Sequence, residues 1–149
     1  MSVSLRKAEP RDYAAVNELE TALAGFAPDR RACFDAVLAE KNHDLLVAEA
    51  HGEVVGLAHL MTYRDLSHGA LAGELLGLVV REDMRRQGIA TSLMREIIRL
   101  AKQRGVGELH INTETDNEAA KALYARLGAA MVGVQMELNL PSLAESAVD

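Results

Sequence analysis

The stretch from Glu74 to Val80, Glu-Leu-Leu-Gly-Leu-Val-Val, constrains the fold more than any other part of the chain. After its first residue it is apolar throughout, and it is too short to be an ordinary helix. It therefore reads as a strand covered on both faces. Such a strand needs a sheet around it and a packed layer on each side. Gly77 in its interior predicts a bulge, or a close approach by another backbone or a ligand. The continuation tightens the constraint. Arg81 to Gln87 is a polar turn, and Gly88-Ile89-Ala90-Thr91 opens the strongest amphipathic pattern in the chain. That helix, Ile89 to Arg104, carries Leu93, Ile97, Leu100 and Ala101 on one stripe with Met94 and Ile98 beside it, and Gly105 and Gly107 end it.

The flanking sequence supplies the remaining layers. Val3 to Arg6 alternates as a short strand. Pro10 to Ala24 spaces Tyr13, Val16, Leu19, Glu20 and Leu23 at three and four, which predicts a helix broken by Gly25 and Pro28. A second helix, Asp29 to Glu40, is expected to present Cys33, Ala36 and Val37 on one face, so Cys33 reads as a core residue. At Leu45 the period changes to that of strands. Leu45 to Ala48 and Val54 to Thr62 flank the turn His51-Gly52-Glu53 and form an antiparallel hairpin. Arg64 to Gly73 reads as a loop, Leu109 to Thr113 as a strand, and Asn117 to Leu127 as a helix stopped by Gly128. Val132, Val134, Met136, Leu138 and Leu140 alternate with polar or small residues, which predicts a last, half-buried strand. Mixed strands and helices in this order give an α/β or α+β fold on one sheet, a single domain over residues 1–141 with a flexible tail at 142–149.

Composition removes several function classes. At 149 residues, 49% hydrophobic and 26% charged, the chain builds a full core without staples. The charge of −6 disfavours a nucleic-acid surface and favours cationic partners. No apolar run reaches the ~18 residues of a membrane span. Met1 to Pro10 carries Arg6, Lys7 and Glu9 and does not read as a signal peptide. Cys33 is the only cysteine, which fits a cytoplasmic location. His43, His51, His59, His68 and His110 lack metal-ligand spacing, and no metal is expected.

The chemistry is concentrated where the apolar strand feeds the turn and helix. The first N–H groups of a helix lack intrahelical partners and sit at its positive end, a physical recipe for holding phosphate. Gly88 and Ala90 are small enough for a pyrophosphate to approach the backbone, and Arg85 and Arg86 add positive charge. The spacing is neither a dinucleotide-binding Gly-x-Gly-x-x-Gly nor a P-loop. On these residues alone, a solvated basic turn ahead of an amphipathic helix is equally admissible.

Arg85-Arg86-Gln87-Gly88-Ile89-Ala90 resembles the Gln/Arg-x-x-Gly-x-Gly/Ala signature of the GNAT superfamily of acyl-CoA N-acyltransferases. Asn117-x-x-Ala120-x-x-Leu123-Tyr124-x-x-x-Gly128 is similar to that family's fourth helix. The resemblance runs from about residue 3 to residue 140, by pattern only over the first forty. It departs at Arg86, where glycine is common, at Ala90 in place of the commoner second glycine, and at Ala129, where an aromatic often stands. The fold it implies is one mixed, mostly antiparallel central sheet of about six to seven strands flanked by about four helices.

The same resemblance implies a coenzyme A site. Leu78, Val79 and Val80 would offer backbone groups to the pantetheine arm as to an added strand. The N–H groups of Arg86, Gln87, Gly88, Ile89, Ala90 and Thr91 would cradle the pyrophosphate, beside Arg85. Asn117, Ala120 and Tyr124 would lie along the arm. The reaction implied is transfer of an acetyl group from acetyl-CoA to a primary amine in a ternary complex. An alkyl ammonium with pKa ~10.4 leaves roughly one molecule in 10³ nucleophilic at pH 7, a penalty of about 4–5 kcal/mol that a general base offsets. Glu74 matches the family's glutamate base; a solvent-facing carboxylate with water as the base is the alternative. Tyr124 matches the tyrosine placed beside the sulfur, where it protonates or hydrogen-bonds the leaving thiolate. Asp65 and His68, in the preceding loop, are candidates for contact with a small-molecule or peptide acceptor. A homodimer through Val132 to Leu140 is expected. A coenzyme-A-binding sensor without turnover is the competing reading.

Overall fold

A computed structural model of the chain describes residues 2–140. In order, the elements are β1 (Val3–Lys7), a 3-10 turn at Pro10–Asp12, α1 (Tyr13–Ala24), α2 (Arg31–Ala39), β2 (His43–Ala50), β3 (Glu53–Asp65) and β4 (Ala70–Val80). A second 3-10 turn, Glu82–Met84, leads to α3 (Ile89–Gln103), β5 (Val106–Ile111) and α4 (Glu118–Arg126). The described residues divide into two compact units, the first ending at Ile111 and the second beginning at Asn112. The expected tail at 142–149 lies outside the described residues.

The first unit is a five-stranded sheet in the order β1-β2-β3-β4-β5. Its first three pairings are antiparallel and β4–β5 is parallel, so the sheet is mixed and mostly antiparallel, as expected. The alternation of β3 sorts the layers. Leu57 joins Val16, Leu19, Phe34, Leu45, Val47 and Val79 in one cluster, which places α1 and α2 on that face. A Cβ on neighbouring Gly56 would meet Leu93 and Ile89, which places α3 on the other. Leu93 and Ile97 are fully buried, consistent with the stripe that predicts this helix. Within α2 the buried residue is Phe34, and Cys33 is exposed, contrary to the core position expected for it. Rotation by one residue gives the buried side to the aromatic ring, which removes far more apolar area from water. Tyr13 packs on that ring, centroids 5.3 Å apart.

Two buried carboxylates tie elements together. Asp12 accepts two bonds from the Arg6 guanidinium, at 2.7 and 2.9 Å, and one from the Glu9 N–H. Asp44 on β2 accepts two from Arg104 at the end of α3, at 2.6 and 2.8 Å. Forked geometry of this kind supplies the hydrogen bonds that a desolvated carboxylate requires. No helix among the described residues is long and apolar enough to cross a membrane.

The second unit contains α4. Asn117 caps it, its side-chain oxygen accepting from the Ala120 N–H at 3.1 Å. The helix closes with Ala129 N–H donating to the Tyr124 carbonyl at 2.9 Å. Residues 130–140 form neither helix nor strand, so the strand expected from Val132 to Leu140 is absent and the sheet has five strands, not six to seven. Val132, Val134, Met136, Leu138 and Leu140 are each at least 81% exposed. Alternation creates an apolar face but not a ladder; a strand also requires a partner backbone, and no pairing of this segment occurs among the described residues.

Candidate active site

The site is organised by an irregularity in β4. His59 pairs with Gly77, but Leu60 pairs with Leu75, so Leu76 is an extra residue on β4. This is the irregularity that Gly77 predicts. The bulge falls where β4 also loses its other neighbour: pairing with β5 ends at Leu75–Ile111. From Leu76 to Val80 no strand covers that side among the described residues. Arg81 N–H donates to the Val55 carbonyl of β3. Backbone alternation therefore turns the polar groups of Val79 towards β3 and those of Leu78 and Val80 towards the open side. An extended molecule can add there as a further strand.

The open edge runs into the polar turn. Among the described residues, no backbone N–H from Arg86 to Thr91 donates a hydrogen bond, whereas that of Ser92 donates to the Gly88 carbonyl at 3.0 Å. These N–H groups lead into the positive end of α3. Gly88 has φ +81° and nothing within 4 Å of where a Cβ would stand. Arg86 has φ +63°, a conformation that favours glycine, which explains why a glycine suits this position. Arg85 is exposed but tethered. Its Nε donates to the Val80 carbonyl at 3.0 Å and ties the turn to the strand end. A hollow of about 440 Å³ lined by Val3, Leu5, Gln87, Gly88, Ile89 and Ser92 opens beside the turn.

Glu74 lies on β4 opposite Met61 on one side and His110 on the other. Met61 and His59 are two residues apart on β3, so their partners Glu74 and Gly77 point to the same face, that of α1. Tyr63 shares this face. Its hydroxyl is held above the ordinary pKa first by desolvation and then by the charges of Glu74, Asp65 and Glu108. This end of the face is acidic. Asp65 and His68 pair with each other at 2.5 Å beside the β3–β4 turn, which lowers the carboxyl's pKa and raises the imidazole's. The predicted loop from Arg64 to Gly73 is shorter than expected, because β3 runs to Asp65 and β4 begins at Ala70. Among the described residues no group of three or more His, Cys, Asp or Glu side chains could hold a metal ion.

Asn117, Ala120 and Tyr124 belong to the second unit. Tyr124 is buried, and that burial raises its pKa. Glu20 on α1 carries a signal that the spacing alone passes over. It occupies an apolar stripe between Val16 and Leu23, and its Oε1 lies 3.5 Å from the position of a Cβ on Gly77.

Known proteins agree with this architecture. The family model described as acetyltransferase (GNAT) family matches residues 7–129. Over 118 residues the chain is 33% identical to aminoglycoside N(6')-acetyltransferase type 1 of Serratia marcescens, covering 75% of this chain and 81% of that one. Over 96 residues it is 32% identical to N-acetyltransferase 8 of Homo sapiens, covering 64% of this chain and 42% of the human protein, less than half its length. A solved structure of a putative acetyltransferase from Agrobacterium tumefaciens str. C58 superposes with a TM-score of 0.83 at 24% identity, over 92% of this chain and 99% of that one. The chain belongs to the GNAT family of acetyltransferases, enzymes that use acetyl-CoA as acetyl donor.

Proposed function

We propose that this protein transfers an acetyl group from acetyl-CoA to a primary amine by direct attack in a ternary complex. The observation that carries the proposal is the continuity of two runs of backbone: the edge of β4 from Leu76 to Val80 that no strand pairs among the described residues, its Val80 carbonyl taken by Arg85, and the N–H groups from Arg86 to Thr91. The first suits the amide-bearing pantetheine arm, through the backbone of Leu78 and the N–H of Val80. The second suits a pyrophosphate. Arg85 serves by fixing the turn, and the side chains of Arg86 and Gln87 are exposed beside it. Val79 supports the edge from the β3 side. On the resemblance of the α4 motif to the family's fourth helix, Asn117, Ala120 and Tyr124 are assigned to the pantetheine arm as well.

In the reaction a bond forms between the amine nitrogen and the thioester carbon, the carbon–sulfur bond breaks, and the amine proton leaves. Backbone N–H groups at the bulge stabilise the charge that develops on the thioester oxygen. Glu74 accepts the amine proton, directly or through a water, and Tyr124 donates to the departing thiolate. Aminoglycosides, polyamines, amino acids, peptide N-termini and protein lysines all present the required group, and the acidic face beside Glu74 favours those that are cationic. We place the activity in the cytoplasm, with two copies of the chain associated through the exposed apolar residues of 130–140. Sedimentation giving only a 16.1 kDa species at micromolar concentration would refute that association.

The test is the pH–rate profile of Glu74→Gln. Turnover near pH 7 should fall by about 10²–10⁴-fold. The deficit should shrink as the pH approaches the amine pKa of ~10.4, where free amine no longer needs a base. An unchanged profile removes Glu74 from the mechanism.

A further inference from the structure

Glu20 is a carboxylate for which the proposed transfer has no use. It stands on α1 in line with Val16 and Leu23, at a position that helical spacing reserves for the core. Its Oε1 reaches to 3.5 Å from where a Cβ on Gly77 would be, while Leu23 Cδ2 and Leu57 Cδ1 stand at 3.4 and 4.0 Å from the same point. The carboxylate thus ends over Gly77, which has no side chain to hold it off, directly beside the bulge. Glu20 makes no hydrogen bond or ion pair among the described residues. Arg30 attracts it at longer range, but the Arg30 guanidinium is already bonded to Asn17, Thr21 and the Phe26 carbonyl. Burial raises the Glu20 pKa, as it must for a carboxyl without donors.

Glu74 and Gly77 face the same side of β4, so Glu74 on the strand and Glu20 on the helix over it belong to one face of the sheet. A strand carboxylate that takes a proton requires the amine to be held nearby first, still charged. An ammonium ion supplies both things that Glu20 lacks, a counter-charge and hydrogen-bond donors. We propose that Glu20 is a specificity residue of this site, holding the acceptor's amino group as its ammonium ion beside the β4 bulge and so selecting cationic primary amines. The assignment builds on the acetyl-transfer reading, with Glu74 then accepting the proton.

The experiment follows the side-chain carboxyl resonance of Glu20 in the full chain, labelled with carbon-13 glutamate, during titration with n-butylamine at about pH 7, where that amine is protonated. The neutral n-butanol is the control. A saturable shift with n-butylamine, absent with n-butanol, is expected. Glu20→Gln should weaken n-butylamine binding by about 10–100-fold, the worth of a hydrogen bond to a charged group. It should raise KM for the same amine much more than it lowers kcat, and acetyl-CoA binding by calorimetry should be retained. An unmoved Glu20 resonance, or an equal affinity in the variant, overturns the assignment even where acetyl transfer is observed. A shifted resonance in a protein that acetylates no amine leaves Glu20 as an ammonium site and overturns the transfer reading alone.

Discussion

The His43–His59 pair makes the acid stability of the sheet predictable. His59 on β3 lies against His43 on β2, with His43 Nδ1 and His59 Nε2 2.8 Å apart and ring centroids 5.0 Å apart. Burial is the main reason that the His59 pKa falls from 6.5 to about 4; the charge of His43 adds to the fall and Asp44 opposes it. Glu40 meets the far side of His43, at 3.3 Å from Nε2. Because the folded pKa is the lower one, the unfolded chain takes up a proton that the folded chain refuses. The stability that neutral His59 permits is therefore complete above 6.5 and is lost as the pH falls towards 4. At about 1.36 kcal/mol per unit, the loss reaches about 2 kcal/mol by about pH 5 and about 3 kcal/mol by about pH 4. Urea unfolding at intervals from about pH 7 to about pH 4 measures it, with His59→Gln as the comparison because Gln cannot titrate. Carboxylate contributions, including those of Asp12 and Asp65, cancel between the two proteins. The difference in stability should move in favour of the variant by the stated amounts. Parallel pH dependences would refute the reasoning, because they would mean that His59 titrates alike in the folded and unfolded chain.

Thr62 is buried and its hydroxyl has no hydrogen-bond partner among the described residues, so Thr62→Val, which keeps the branched shape and removes the oxygen, should stabilise the fold by about 1 kcal/mol in urea unfolding. Gly88→Glu places a carboxylate in front of the unbonded N–H groups and puts a side chain at φ +81°. Calorimetry should show acetyl-CoA binding abolished, while thermal unfolding shows the fold retained at a cost of about 1–2 kcal/mol; unchanged affinity would remove the phosphate role from this turn.

Legibility in the sequence followed the reach of each interaction. The apolar run after Glu74, the glycine within it and the stripe of α3 are local patterns, and they mark β4, its irregularity and the turn in the sequence itself. Patterns that needed a partner were less secure. Val132 to Leu140 has the alternation of a strand without a paired backbone. In α2 the buried position depends on how the helix rolls onto the sheet, which favours Phe34 over Cys33. Strand β5 spans Val106–Ile111, not Leu109 to Thr113, because the glycines at 105 and 107 end one element without delaying the next. Arg86 gives no sign in its side chain that its backbone is left-handed. The bond from Arg85 to the Val80 carbonyl is likewise invisible in the sequence. Glu20 was visible as a carboxylate in an apolar stripe, a local conflict of the sort that marks functional positions. What it lies against becomes legible only when α1 is laid over Gly77.

The central claim is acetyl transfer to an amine, and the most direct test incubates the intact protein with acetyl-CoA and a panel of aminoglycosides, polyamines, amino acids, peptides and a lysine-bearing protein. Thiol release is followed together with mass spectrometry of each acceptor. Release should depend on a cationic primary amine, give one N-acetylated product per thiol, and be lost together with that product in Glu74→Gln near pH 7. Tight binding of acetyl-CoA with no acceptor acetylated across the panel would contradict the claim and leave a coenzyme-A-binding module in its place.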